Sequence, residues 1–130
     1  MSLQAIEFEV MALVNQHRRK IQKLSLKHHP EIWRIAAEHV ENMANGTVAF
    51  GHYGFKRRVY LLENRLNIIH CGENVAFNNS ATPAETAFQQ WLNSPQHKQT
   101  LEKGIFTHTA VAVQKSEKGV YFYVQLFGRI

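Results

Sequence analysis

Cysteine is nearly absent. Cys71 stands alone, so no disulfide can form within the chain, and the fold must rest on its core and its hydrogen bonds. Long apolar runs are missing too, and no stretch approaches the roughly 20 residues that a membrane-spanning helix needs. The N-terminus MSLQAIEFEV lacks the basic region followed by an apolar stretch that marks a secretion signal. The sequence therefore predicts no transmembrane segment and leaves the compartment open. Repeats, linkers and low-complexity tracts are also absent, so one domain over residues 1–130 is expected.

What the chain does have is apolar content and positive charge. With 130 residues, 45% of them hydrophobic, it can close one sizeable core. A net charge of +5 permits attraction to anionic surfaces, whether nucleic acid, acidic lipid headgroups or wall polymers, without selecting among them. The cations gather as His17-Arg18-Arg19-Lys20 and Lys56-Arg57-Arg58, without the aromatic interleaving or glycine framing of a nucleic-acid platform. Both clusters read as solvated helix faces and helix ends. Nucleic acid is not expected as a partner.

Periodicity supplies the elements. Ile6, Val10, Leu13 and Val14 recur at helical spacing, and the following basic residues suit the negative end of the helix dipole. After a polar connection through His28 and His29, Pro30 opens a second helix with Ile32, Ile35, Ala36, His39, Val40 and Met43 on one stripe, ended by Asn45-Gly46. His39 reads as a satisfied core histidine. The two glycines of FGHYGF (50–55) predict irregular, closely packed backbone, and Val59, Leu62 and Leu66 predict a short helix after it. Thr82-Pro83-Ala84-Glu85 reads as a capping box, and Ser94-Pro95 as a second helix start that runs to about Glu102. The last third changes period: THTAVAVQ and GVYFYVQLFG read as antiparallel strands joined by the SEKG turn. Helices followed by strands predict an α+β domain with helices covering a mostly antiparallel sheet.

CGENVAF (71–77) fits this scheme least, because Gly72, Glu73 and Asn74 are poor strand formers directly ahead of the apolar run Val75-Ala76-Phe77. Taken in order, ALVNQHR, AEHVENMANG, FGHYGF, CGENVAF, WLNSPQH and FTHTAVAV resemble the CAP superfamily of cysteine-rich secretory proteins, antigen 5 and plant pathogenesis-related proteins, in its bacterial SCP-like form. The resemblance covers roughly residues 8–128 and implies a three-layer α-β-α sandwich. It also implies a central cleft lined by the glutamate of GEN and a histidine from the preceding segment, here Glu73 and His52. Bacterial members add a histidine from an SPxH motif, here His97. The position of the second cleft histidine of many eukaryotic members falls on Thr107, beside His108, and their second acidic residue falls near Ser94. A trio of His52, Glu73 and His97 is what this chain retains.

The trio is chemically coherent. His97 would lie in the first turn of the helix opened by Ser94-Pro95, where the positive end of the dipole disfavours imidazolium. Two histidines and a carboxylate form a known catalytic zinc set, with His52 and His97 as ligands and Glu73 as ligand or base. Alternatively, Glu73 and Asn74 tie a loop through backbone hydrogen bonds. Trp91 fills the core by its helical phase and, with Asn74, is also carried as a residue of the cleft. Tyr121, Tyr123 and Gln125 alternate on one strand face, as a ligand surface or as cover for the sheet. Cys71 beside His70 is no catalytic dyad, because adjacent strand residues point to opposite faces. The sequence thus supports a binding or interaction module whose cleft holds a lipid, glycan, peptide or divalent metal such as zinc. A metal-assisted, peptidase-like hydrolase built on the same trio is the alternative.

Overall fold

A computed structural model describes residues 2–130. Helix α1 (Leu3–Lys20) opens at Ser2, whose hydroxyl accepts the Ala5 N–H at 3.0 Å, and buries Ile6, Val10 and Val14. A short strand β1 (Lys27–His28) precedes α2 (Pro30–Ala44), which starts where the His29 ring accepts the Glu31 N–H at 3.1 Å. The irregular segment ends at Gly54, which takes a left-handed φ of 78° at the head of α3 (Phe55–Leu66), a conformation glycine adopts without strain. There follow β2 (Ile69–Asn78), α4 (Pro83–Leu92), α5 (Pro95–Glu102), β3 (His108–Lys115) and β4 (Tyr121–Arg129).

The four strands form one sheet in the order β1-β3-β4-β2. β4 pairs antiparallel with both β2 and β3, whereas β1 runs parallel to β3, so the sheet is mixed with an antiparallel majority. Strand alternation sends Val111, Val113 and Tyr123 to one face, where α1, α4 and α5 supply Val10, Trp91 and Leu101. Ala110, Ala112, Val124 and Leu126 go to the other face and pack against Ile32, Ala36, Val40 and Leu62 of α2 and α3. Three layers result, α-β-α, as the family resemblance implies.

Local details depart from the sequence reading in four places. The polar connection at His28 enters the sheet, because Lys27 and His29 donate their N–H groups to Thr107 and Thr109 at 3.0 Å each. The GEN residues lie inside a ten-residue strand, with an irregular register confined to the stretch between Ile69 and Gly72. Helix α4 begins at the expected Pro83, but the Thr82 side chain makes no cap bond; the Ser80 hydroxyl instead accepts from the Thr82 N–H at 3.0 Å and the Thr86 hydroxyl at 2.7 Å. The basic clusters are not wholly solvated. Arg18 is completely buried and donates to the carbonyls of Leu24, Leu101 and Lys103 at 2.8, 3.0 and 2.8 Å, tying α1 to the C-terminal end of α5. With only carbonyls around it, burial lowers its pKa.

β3 has a free edge beyond its two residue pairs with β1. Glu7 of α1 closes part of it: its Oε2 accepts the Val113 N–H at 2.9 Å and the Trp33 Nε1–H at 3.1 Å. Burial raises the Glu7 pKa despite these two donors. Glu7→Ala, which leaves both donors without an acceptor, is expected to cost about 2–4 kcal/mol in urea unfolding. Glu7→Gln keeps an acceptor oxygen and removes the desolvated charge. It is expected to stay within about 1 kcal/mol of wild type at neutral pH, and an equal loss in both variants would contradict this account.

Candidate functional site

The site grows from β2. A Cβ added at Gly72 would lie 2.9 Å from Cζ of Phe106, so glycine is what lets that ring pack under the strand. From there the strand period of two separates its neighbours: Asn74 turns toward α4 and α5, and Glu73 toward α2 and α3 with Val75. The Glu73 side chain is only 1% exposed. Arg58 of α3 meets it with two bonds, Nε to Oε2 at 2.6 Å and Nη2 to Oε1 at 2.8 Å, in a fork that matches the carboxylate.

The loop at 50–55 hangs on this pair. Nη1 of Arg58 donates to the Tyr53 carbonyl at 2.7 Å, and Nδ1 of His52 lies 2.8 Å from Glu73 Oε1. A carboxylate held by arginine only accepts, so Nδ1 of His52 is the donor of this bond, on a half-exposed ring. His39, buried on α2, donates from Nε2 to the Gly51 carbonyl at 2.7 Å, and burial above all lowers its pKa. This is the satisfied core histidine expected from its stripe, and it anchors the cleft loop.

His97 sits in the first turn of α5 with Nδ1 2.8 Å from the Ser94 hydroxyl. Its pKa is lowered, first by burial and then by the nearby charge of His52. The direction is the one its place at a helix start suggests, while burial is the main cause. Asn74 belongs to the opposite face of β2 from Glu73: its Nδ2 donates to the His97 carbonyl at 3.0 Å and fixes the start of α5. Trp91 stands in the core rather than on the cleft, 1% exposed, with Nε1 donating to the Val75 carbonyl at 3.0 Å. Tyr123 and Gln125 are likewise core residues, and burial pushes the Tyr123 hydroxyl up to about 12. Cys71 packs half-buried with its thiol pushed up to about 11, first by burial and then by Glu63, which suits a filler and not a nucleophile.

Zinc can be tested against this geometry. Both Glu73 oxygens are already held by Arg58, and among the described residues no three His, Cys, Asp or Glu side chains converge closely enough to share one ion. As arranged, the trio does not fit a three-ligand metal site.

Arg58 is the site residue that sequence reasoning missed. It was grouped with a solvated basic run, yet it stands four residues before Leu62 and so shares the buried face of α3. Arg18 follows Val14 by the same interval.

The elements together form an α-β-α sandwich. The pattern of the cysteine-rich secretory protein family, CAP, matches residues 11–127, and the chain belongs to that family. Among solved structures it is similar to an extracellular SCP-domain protein of Bacillus anthracis, with TM-score 0.82 and 24% identity over 98% of this chain and 41% of that one. It is similar to an outer surface protein of Borrelia burgdorferi, with TM-score 0.83 and 17% identity over 99% and 96% of the two chains. A cysteine-rich secretory protein of Staphylococcus aureus matches with TM-score 0.79 and 17% identity over 99% of this chain and 40% of that one. At these identities the likeness shows the fold. The chain spans less than half the length of the Bacillus and Staphylococcus proteins. No curated protein sequence matches it.

Two outcomes follow from the geometry. Arg58→Met or Glu73→Leu alone is expected to cost about 3–5 kcal/mol, because each strands a buried charge, whereas the double variant should lose at least about 2 kcal/mol less than the sum of the two. A urea double-mutant cycle measures this, and simple additivity would contradict the coupling. For pH, His39 and His97 bind protons less readily folded than unfolded, so their contribution is present above the ordinary histidine range and is lost as pH falls below about 6.5. The melting temperature should drop between pH 7.5 and 5, and His39→Gln should flatten that drop.

Proposed function

We propose that this CAP domain is a non-catalytic binding module whose ligand meets the protein at the mouth of the His52–Glu73 cleft. The observation that carries this reading is the two-bond grip of Arg58 on Glu73. A general base needs a free oxygen within reach of the proton it takes, and a metal ligand needs an unoccupied lone pair. Glu73 offers a structural anchor instead, in a wall that holds His52 outward.

The surface beside His52 is apolar as well as polar. Phe50 and Tyr53, on the same loop as His52, are 46% and 73% exposed, and Phe50 meets the half-exposed Phe77 edge-on with ring centres 4.8 Å apart. Phe77 in turn stacks on Phe122 of the neighbouring strand at 5.7 Å. Exposed rings beside a hydrogen-bonding imidazole suit a lipid, a glycan or a peptide side chain better than a small hydrophilic substrate. Among the described residues no helix is long and apolar enough to cross a membrane.

Calorimetric titration of zinc into metal-free wild type, His52→Ala and His97→Ala tests the reading against the metal-assisted hydrolase. The expected result is the absence of a tight one-to-one site that depends on both histidines. Tight binding lost in both variants would overturn the proposal and restore Glu73 as a candidate base. A companion measurement concerns the role of Glu73 itself: Glu73→Gln is expected to lower the melting temperature, as a wall residue should. Unchanged stability would speak against the anchor.

A further inference from the structure

At the other edge of the sheet, along β3 and between α1 and α2, lies a cleft of about 490 Å³. Its size is that of a small-molecule site. Glu7, Phe8 and Met11 of α1, Trp33 and Glu41 of α2, and Val113 of β3 line it. The walls contain two carboxylates and, among the described residues, no lysine or arginine, in a chain whose net charge is +5. His28 is the remaining titratable group that faces it.

Glu7 has an unusual position in this cleft. It is nine-tenths buried, and both of its hydrogen bonds, from Val113 N–H and Trp33 Nε1–H, end on Oε2. Among the described residues no protein donor bonds Oε1, which stays open to solvent at the cleft wall, and no cation pairs with the carboxylate. A largely buried carboxylate without a cation is costly to charge, and the group at the cleft wall lacks the partner that Arg58 provides for Glu73. Around it, Phe8 is 53% and Trp33 36% exposed, and aromatic rings beside a carboxylate are the setting in which organic cations are recognised.

We infer that this cleft binds a small organic ammonium with an apolar or aromatic body, the ammonium against Oε1 of Glu7 and the body against Phe8, Met11 and Trp33. Glu41 adds negative potential at the same wall and excludes anionic ligands. The site is independent of the His52–Glu73 cleft.

Tryptamine, an aryl-alkylammonium at neutral pH, is the probe, with 3-indolepropionate as a ligand of similar size and opposite charge. Calorimetry at pH 7 on the whole chain should show saturable one-to-one binding of tryptamine and none of the acid. Glu7→Gln, checked for folding by its melting curve, should weaken binding at least tenfold, and Glu85→Gln, at an exposed carboxylate of α4, should leave it unchanged. If Glu7→Gln fails to fold, Phe8→Ala at an exposed position replaces it and should weaken tryptamine several-fold. Absence of saturation up to millimolar tryptamine, equal binding of the acid, or equal affinity in both the Glu7 and the Phe8 variants would each overturn the assignment.

Discussion

The structure around the cleft depends on one constraint: the Glu73 carboxylate is taken out of water on the α2–α3 face of the sheet. A buried carboxylate must be compensated in full or it destabilises the fold. Arg58 does so with a fork that fits both oxygens, and that requirement fixes the rotation of α3 about its own axis. Once Arg58 is placed, its third nitrogen draws in the Tyr53 carbonyl, and the loop before α3 has to fold over the pair. His52 faces the same carboxylate from that loop, and His39 holds the loop from beneath through Gly51. The irregular backbone of FGHYGF is therefore not loose. Its conformation follows from a charge two elements away.

The same strand serves the opposite layer by the simplest property of a β-strand. One residue on from Glu73, Asn74 points the other way and holds the carbonyl of His97, so consecutive side chains fasten α3 on one side and α5 on the other. Trp91 adds α4 by donating to the Val75 carbonyl, and Arg18 closes the circuit by binding the last carbonyls of α5 from α1. Gly72 lets Phe106 approach. The three letters GEN thus have three separate physical duties, none of which requires catalysis.

Most of the architecture is legible from periodicity. The stripe of α2, the proline-started helices α4 and α5 and the β3–β4 hairpin all follow from residue spacing and from turn chemistry. The family resemblance supplied His52, Glu73 and His97 together. What could not be read are the partners. Glu73 and Arg58 are fifteen residues apart on different elements, and nothing local signals that an arginine in a basic run will turn inward. Helical phase relative to Leu62 is the one available clue, and it was outweighed by the charge of the neighbours. β1 was missed for a related reason: two polar residues carry no alternation, and only tertiary pairing with β3 makes them a strand. GEN stays within β2 despite the weak strand preferences of Gly, Glu and Asn, because cross-layer hydrogen bonds hold Glu73 and Asn74.

The two buried glutamates show why compensation, and not burial alone, distinguishes a wall from a receptor. Glu73 and Glu7 both lie under helices near a sheet edge and are similarly inaccessible. Glu73 has an arginine on both oxygens, so a further cation gains little there. Glu7 has neutral donors on one oxygen only, and burial raises its pKa, which means that the folded chain holds this charge at a cost. A positive ligand would relieve that cost and draw binding energy from a term already present in the free protein. The sheet order keeps the two carboxylates on opposite edges, β2 and β3, with β4 between them. Each can therefore be altered without touching the other.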